Sequence, residues 1–195
     1  MRIPPTEAPD ATDAELCEQA RRGDSHAWTT IIRRHTPMLY RVAARMLGPG
    51  ADAEDACQEA FMRAHKAFAC YDPARPLAPW LARIVYHASL KRLAAGGRGG
   101  VATDPSDLER MDDGGRASPE SIVATHETGS FVSAALGALS AQDRALVTLR
   151  YVEGLTDLEV GEAVGINPNT VRTRLHRARL ILQKILAPMI GGRSA

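Results

Sequence analysis

The chain has 195 residues, with 24 Lys+Arg against 23 Asp+Glu and a formal charge of +1, which excludes a uniformly basic or acidic protein. Cys17, Cys57 and Cys70 are odd in number and far apart, which argues against a disulfide framework. The N-terminal MRIPPTEAPDATDAEL lacks an apolar signal segment, and no apolar run approaches the ~20 residues of a membrane span, so a soluble cytoplasmic protein without membrane insertion is expected.

Helix punctuation is dense and strand signals are nearly absent. Thr12 and Glu15 fit a capping box that opens a helix closed by Gly23. Asp24 or Ser25 can cap the next, in which Trp28, Ile31, Ile32, His35, Leu39, Val42 and Met46 recur at helical spacing up to Gly48-Pro49-Gly50. A third helix starts at Asp52, with Ala56, Cys57, Ala60, Phe61, Ala64 and Phe68 on its core side and Asp55, Gln58, Glu59 and Met62 opposite. Pro73, Pro76 and Pro79 make a stiff loop, and Pro79 suits the first turn of a fourth helix. That helix buries Leu81, Ile84, Val85 and Ala88. Its other side carries Arg83, His87 and Lys91 beside Tyr86, a basic stripe next to an exposed aromatic, as single-stranded nucleic acid favours. A solvated basic face with Tyr86 half-buried is the competing expectation.

The stretch AAGGRGGVATDPSDLERMDDGGRASPE then reads as a flexible acidic linker. It separates two small all-α domains, placed at 12–95 and 129–188, with the linker at 96–128. After it, Phe131 to Leu139 forms a short helix. Ser140 caps a helix that Gly154 ends, and Thr156 with Glu159 forms a second capping box. Gly165 turns the chain, Asn167 caps, and Pro168 opens the last helix, which buries Val171, Leu175, Ala178 and Leu182.

TDLEVGEAVG followed by INPNTVRTRLHRAR has the layout of a helix-turn-helix, whose second helix enters the DNA major groove. With Val171 at the centre of the buried side, Asn169, Arg172, Thr173, His176 and Arg177 point outward as donors for bases and phosphates. From Asn167 onward no acidic residue accompanies Arg172, Arg174, Arg177 and Arg179, so DNA phosphate is the expected counter-charge. His26, His35, His65, His87, His126 and His176 form no HExxH or comparable cluster, so neither a metal nor a catalytic site is expected.

The segment ALGALSAQDRALVTLRYVEGLTDLEVGEAVGINPNTVRTRLHRAR resembles the C-terminal promoter-binding domain of extracytoplasmic-function sigma factors. DAEDACQEAFMRAHKAF followed by YDPARPLAPWLARI resembles the N-terminal domain of the same group. The resemblance implies a non-enzymatic subunit of RNA polymerase that needs no cofactor and directs promoter-specific initiation. Asp55, Gln58, Glu59 and Met62 would dock on the beta-prime clamp helices, and the beta flap would be a further polymerase contact. Asp72, Arg75, Pro76 and Trp80 would belong to the minus-ten region, with the proline loop holding a flipped base, and Arg83, Tyr86, His87 and Lys91 would track the non-template strand. Asn169, Thr170, Arg172, Thr173, Arg174, His176 and Arg177 would read the minus-thirty-five duplex. An anti-sigma factor is implied as regulator. After WLARI the sequence departs from the family's usual Ala-Arg-Asn run, reading Val85, Tyr86 and His87. The alternative is a helix-turn-helix activator that binds duplex DNA without joining the polymerase, against which the absence of alternating strands upstream weighs.

Overall fold

The computed structural model describes residues 11–96 and 128–191, and every regular element among them is a helix. The linker expected at 96–128 lies, apart from its ends, outside the described residues.

Helix α1 (Asp13–Arg21) opens on the expected capping box: Glu15 N donates to Thr12 Oγ1 at 3.3 Å and Thr12 N to the Glu15 carboxylate at 2.7 Å. Helix α2 (Ser25–Leu47) is capped by Asp24, which accepts from the His26 and Ala27 amides. It buries Ala27, Ile31, His35, Met38, Leu39, Val42, Ala43 and Met46. His35 is not apolar, and its position is explained by Asp13, whose Oδ2 is 2.9 Å from Nε2. That bond is also the main reason the Asp13 carboxyl titrates below its ordinary value. Helix α3 (Ala51–Ala67) packs Ala53, Ala56, Cys57, Ala60, Phe61 and Ala64, mostly small residues that let it lie close to α2. A short 3₁₀ turn (Phe68–Cys70) and an exposed loop lead to α4 (Leu77–Ala95).

The second half consists of α5 (Thr128–Gly137), α6 (Ala141–Val147), α7 (Asp157–Val164) and α8 (Pro168–Gly191). One helix was expected from Ala141 to Gly154. Instead α6 widens into a π-helical turn over Thr148–Val152, in which Glu153 N donates to Thr148 O at 3.0 Å, a bond spanning five residues. The Thr148 hydroxyl donates back to Arg144 O at 2.8 Å, a competing bond of the kind that disturbs helix interiors.

The two halves pack together, α4 against α7 and α2 against α6. Their apolar side chains form one continuous cluster from Leu16 to Ala178. Ile31, Leu39, Leu81, Leu146 and Leu149 are fully enclosed within it. Each such side chain contributes about 1.5–3 kcal/mol by leaving water.

Candidate nucleic-acid interface

The α7–α8 unit is built by a few local devices. Thr156 and Glu159 cap α7 reciprocally, with Thr156 N 2.8 Å from the Glu159 carboxylate. A Cβ placed on Gly161 would stand 2.7 Å from the Ile166 carbonyl oxygen, so only glycine lets the turn lie this close to α7. Gly165 takes the left-handed conformation, φ +78°, and its amide donates to Gly161 O at 2.8 Å. Asn167 Oδ1 accepts from Asn169 N at 2.8 Å, and Pro168 occupies the first helical position. Val160, Val164, Ile166 and Val171 are buried between the two helices.

On α8, Asn169, Arg172, Thr173, His176 and Arg177 are all exposed, and Thr170 is half-buried. Thr173 donates its hydroxyl to Asn169 O at 3.0 Å. The expectation that the arginine run lacks acidic partners is corrected. Arg174 Nε lies 2.8 Å from Asp143 Oδ1 and its Nη2 3.3 Å from Gln142, and with its side chain 18% exposed it ties α8 to α6 rather than joining the outer arc. Arg172 Nε is 3.4 Å from Asp157 Oδ2 across the turn, a long contact by a side chain that remains 69% exposed. Neither acid lies on α8, so helix-local charge counting missed both. The acid in the first turn of α7 was the available signal.

On α3, Asp55, Gln58 and Met62 are exposed and Glu59 is half-buried, with Met62 among the most exposed large apolar side chains. Arg92, from α4, stands 3.5 Å from Asp55 and 3.6 Å from Glu59, and Arg63 Nη2 is 2.5 Å from Glu59. Asp55 and Glu59 thus help hold α3 to α4, while Gln58 and Met62 face outward between them. Arg63 and Arg92 were not singled out from sequence, because the pairing depends on how two helices meet.

The proline loop is pinned from beneath. Phe68, Tyr71 and Trp80 form an aromatic group, with Tyr71 and Trp80 centroids 4.7 Å apart and Trp28 meeting Phe68 edge-on at 5.0 Å. The Tyr71 hydroxyl donates to Arg75 O, Arg21 donates to Tyr71 O, and burial pushes the Tyr71 phenol up to about 12. Above this floor, Asp72 Oδ1 accepts from Ala74 N at 3.0 Å, leaving Asp72, Arg75 and Pro76 exposed and Trp80 half-buried.

Helix α4 differs most from expectation. Arg83 and Lys91 are exposed, but Tyr86 is 1% exposed, near enough to Arg174 of α8 and Asp143 of α6 to feel their charges. Helical spacing placed it on the polar side, and packing of the second half buries the part of that side where it stands. Burial, then Arg83 and Arg63, hold the His87 imidazole below its ordinary value, so it is not a cation at neutral pH. The expected basic stripe is therefore reduced to Arg83 and Lys91, and Arg83 Nη1 donates to Glu162 O of α7 at 3.3 Å.

Among the described residues no helix is long and apolar enough to cross a membrane. Comparison with known proteins places the same two blocks in one family. Residues 31–99 match the model of Sigma-70 region 2, and residues 132–182 that of Sigma-70 region 4. The chain is 35% identical over 161 residues to the ECF RNA polymerase sigma factor SigE of Mycolicibacterium smegmatis, covering 83% of this chain and 62% of that protein. It is 31% identical over 181 residues to the ECF RNA polymerase sigma factor SigW of Bacillus subtilis, covering 87% of this chain and 94% of that protein. The fold matches that of the sigma factor RpoE solved with the anti-sigma factor NepR from Bartonella quintana, with a TM-score of 0.62, 22% identity and coverage of 82% and 96% of the two chains. With two family blocks in the order of the fold and 94% of one such relative spanned, the chain belongs to the extracytoplasmic-function sigma factors of the sigma-70 family.

Proposed function

We propose that the protein is an alternative sigma subunit: it joins core RNA polymerase in the cytoplasm, directs DNA-templated initiation at promoters with minus-thirty-five and minus-ten elements, and performs no chemistry itself. The observation that carries this is the helix-turn-helix with its exposed arc Asn169, Arg172, Thr173, His176 and Arg177, on the same chain as the polar α3 face.

In this reading the α8 arc enters the major groove, where arginine can make a bidentate contact with guanine and the Thr173 methyl can meet a thymine methyl. Thr170, half-buried, stands at the edge of that arc, and Arg174 positions the helix through Asp143. Gln58 and Met62, framed by Asp55 and Glu59, meet the beta-prime clamp helices, and the second domain meets the beta flap. Asp72, Arg75, Pro76 and Trp80 form the minus-ten pocket over the aromatic floor, and Arg83 with Lys91 follows the separated strand. Duplex opening is favoured only if the single strand is captured, so flipped-base binding and stacking supply the driving force. An anti-sigma factor would act by covering these faces.

The test is transcription by purified bacterial core polymerase on a promoter library, with and without the protein. Sequence-restricted initiation is expected. It should be lost for Gln58→Ala combined with Met62→Ala, both outward side chains, while duplex binding persists. Duplex binding without initiation by the unaltered protein would return the reading to a helix-turn-helix activator.

A further inference from the structure

The arginines of the second half differ in what holds them. Arg144 of α6 donates through Nε to Arg45 O and through Nη2 to Met46 O at 3.4 Å, which completes the carbonyl end of α2, where a helix has no partners of its own. Arg174 is fixed by Asp143, and Glu153, just past the π-helical turn, is taken by Arg41 of α2 in a bidentate pair at 2.6 and 2.8 Å. Arg150 and Arg172 instead share one acid, and that acid stands beside the outward arc of α8.

The shared acid is Asp157, the first residue of α7, where a helix N-terminus favours a carboxylate. Its Oδ1 accepts from Arg150 Nε at 3.0 Å, and Arg150 Nη1 donates to Leu155 O at 3.2 Å, so an arginine from the π-helical turn fastens both the acid and the loop before it. The other oxygen, Oδ2, lies 3.4 Å from Arg172 Nε, and Arg172 Nη1 lies 3.5 Å from Asn169 Oδ1. The Asp157 side chain is 24% exposed, Arg150 38% and Arg172 69%, so the acid is the anchored member and Arg172 the free-reaching tip.

We propose that Asp157, fixed by Arg150, is a positioning residue for Arg172: it sets which edge of the guanidinium meets the duplex, and thereby how sharply α8 discriminates a base pair. This rests on reading the α8 arc as the duplex-contacting surface. With the Nε side turned to Asp157, the terminal Nη1 and Nη2 are what remain for the O6 and N7 of a guanine. An arginine without such a hold takes phosphate as readily as base, and a phosphate contact carries no sequence. Asp157 opposes that outcome a second way, because its own charge repels the phosphate backbone; it lowers general affinity while raising selectivity. An exposed ion pair of this length contributes little to stability, so its effect is read in selectivity rather than in folding.

The test uses holoenzyme assembled from the full chain and purified bacterial core polymerase, offered a duplex library randomised over the minus-thirty-five segment. Bound fragments are sequenced, and affinity for one preferred site is followed against salt. Asp157→Asn keeps the shape and removes the charge. It is expected to lower discrimination at one base pair about five-fold or more, to bind unselected duplex at least as tightly as the unaltered protein, and to steepen the salt dependence by about one phosphate. Arg150→Gln, which loosens the acid without removing it, should lower discrimination at the same base pair. On top of Arg172→Ala, Asp157→Asn should change discrimination no further.

Unaltered discrimination in Asp157→Asn overturns the proposal. So does a loss that persists on top of Arg172→Ala, which would make the acid a reader of bases itself. Weaker binding to every sequence overturns it as well, since that is the mark of a disturbed helix-turn-helix. Absence of selectivity in the unaltered holoenzyme overturns the duplex reading of α8 as a whole, whereas selectivity that survives Asp157→Asn overturns the positioning role alone, so the two failures are distinct results.

Discussion

Helices α4 and α8 each carry arginine and histidine on the side away from their own half's core, but their surroundings differ. Part of the polar side of α4 meets the second half, with Tyr86 enclosed, Arg83 bonded to Glu162 O and His87 held neutral, while Arg83 and Lys91 stay exposed. On α8 the side chains Asn169, Arg172, Thr173, His176 and Arg177 stay exposed. Similar sequence patterns thus produce a partly masked surface and a more open one. What separates them is the neighbour supplied from more than 70 residues away, as the Arg83–Glu162 bond at a separation of 79 residues illustrates.

The comparison breaks most completely at Gly161. Gly161→Val would drive side-chain atoms into the Ile166 carbonyl, with backbone rather than a flexible side chain in the way. A loss of about 3 kcal/mol is expected in denaturant unfolding, together with loss of duplex binding and looser cover over α4. A smaller and one-sided effect is expected from Arg172→Ala. If it reads a base, discrimination should fall by about 1–3 kcal/mol in competition anisotropy on duplex sites, while single-strand binding by the free protein stays as it was. Thr156→Ala removes the hydroxyl that caps α7 and should cost about 1 kcal/mol in thermal unfolding without altering the specificity of α8.

The smallest effect sharpens the contrast through pH. The folded protein holds the His87 pKa below its ordinary 6.5, so the unfolded chain binds that proton more readily. Its contribution leaves stability undiminished above 6.5, and stability falls as pH drops from there toward the lowered folded value. Thermal midpoints between pH 7.5 and 5.5 should decline less for His87→Gln than for the unaltered chain. An equal decline would show that burial of α4 does not govern this titration.

The parts of the fold legible in the sequence were those fixed within one turn of chain. Thr12 with Glu15, Thr156 with Glu159, Gly165, and Asn167 with Pro168 all perform the roles their spacing suggested, because caps and turns are satisfied by neighbours three or four residues away. The outward arc of α8 was legible for the same reason, since Val171 fixes one side of a helix and thereby the other. Tyr86, Arg144, Arg174 and Glu153 were not. Their partners lie on other helices, and a period of 3.6 residues says which way a side chain points but not what stands there. The π-helical turn was equally hidden, because ALVTLRYV reads as ordinary helix until Thr148 O accepts from Glu153.

The carbonyl end of α2 has a consequence in time. Arg45 precedes the residue that completes its bonding, Arg144, by 99 positions, and a ribosome adds ~5–20 residues each second, so a nascent chain exposes that end for about 5 to 20 seconds, and the side of α4 that α7 later meets for somewhat less. During that interval the first half meets its surroundings before the second half exists. Whatever binds that side of α4 would compete with nothing then, whereas later it would have to displace a finished neighbour.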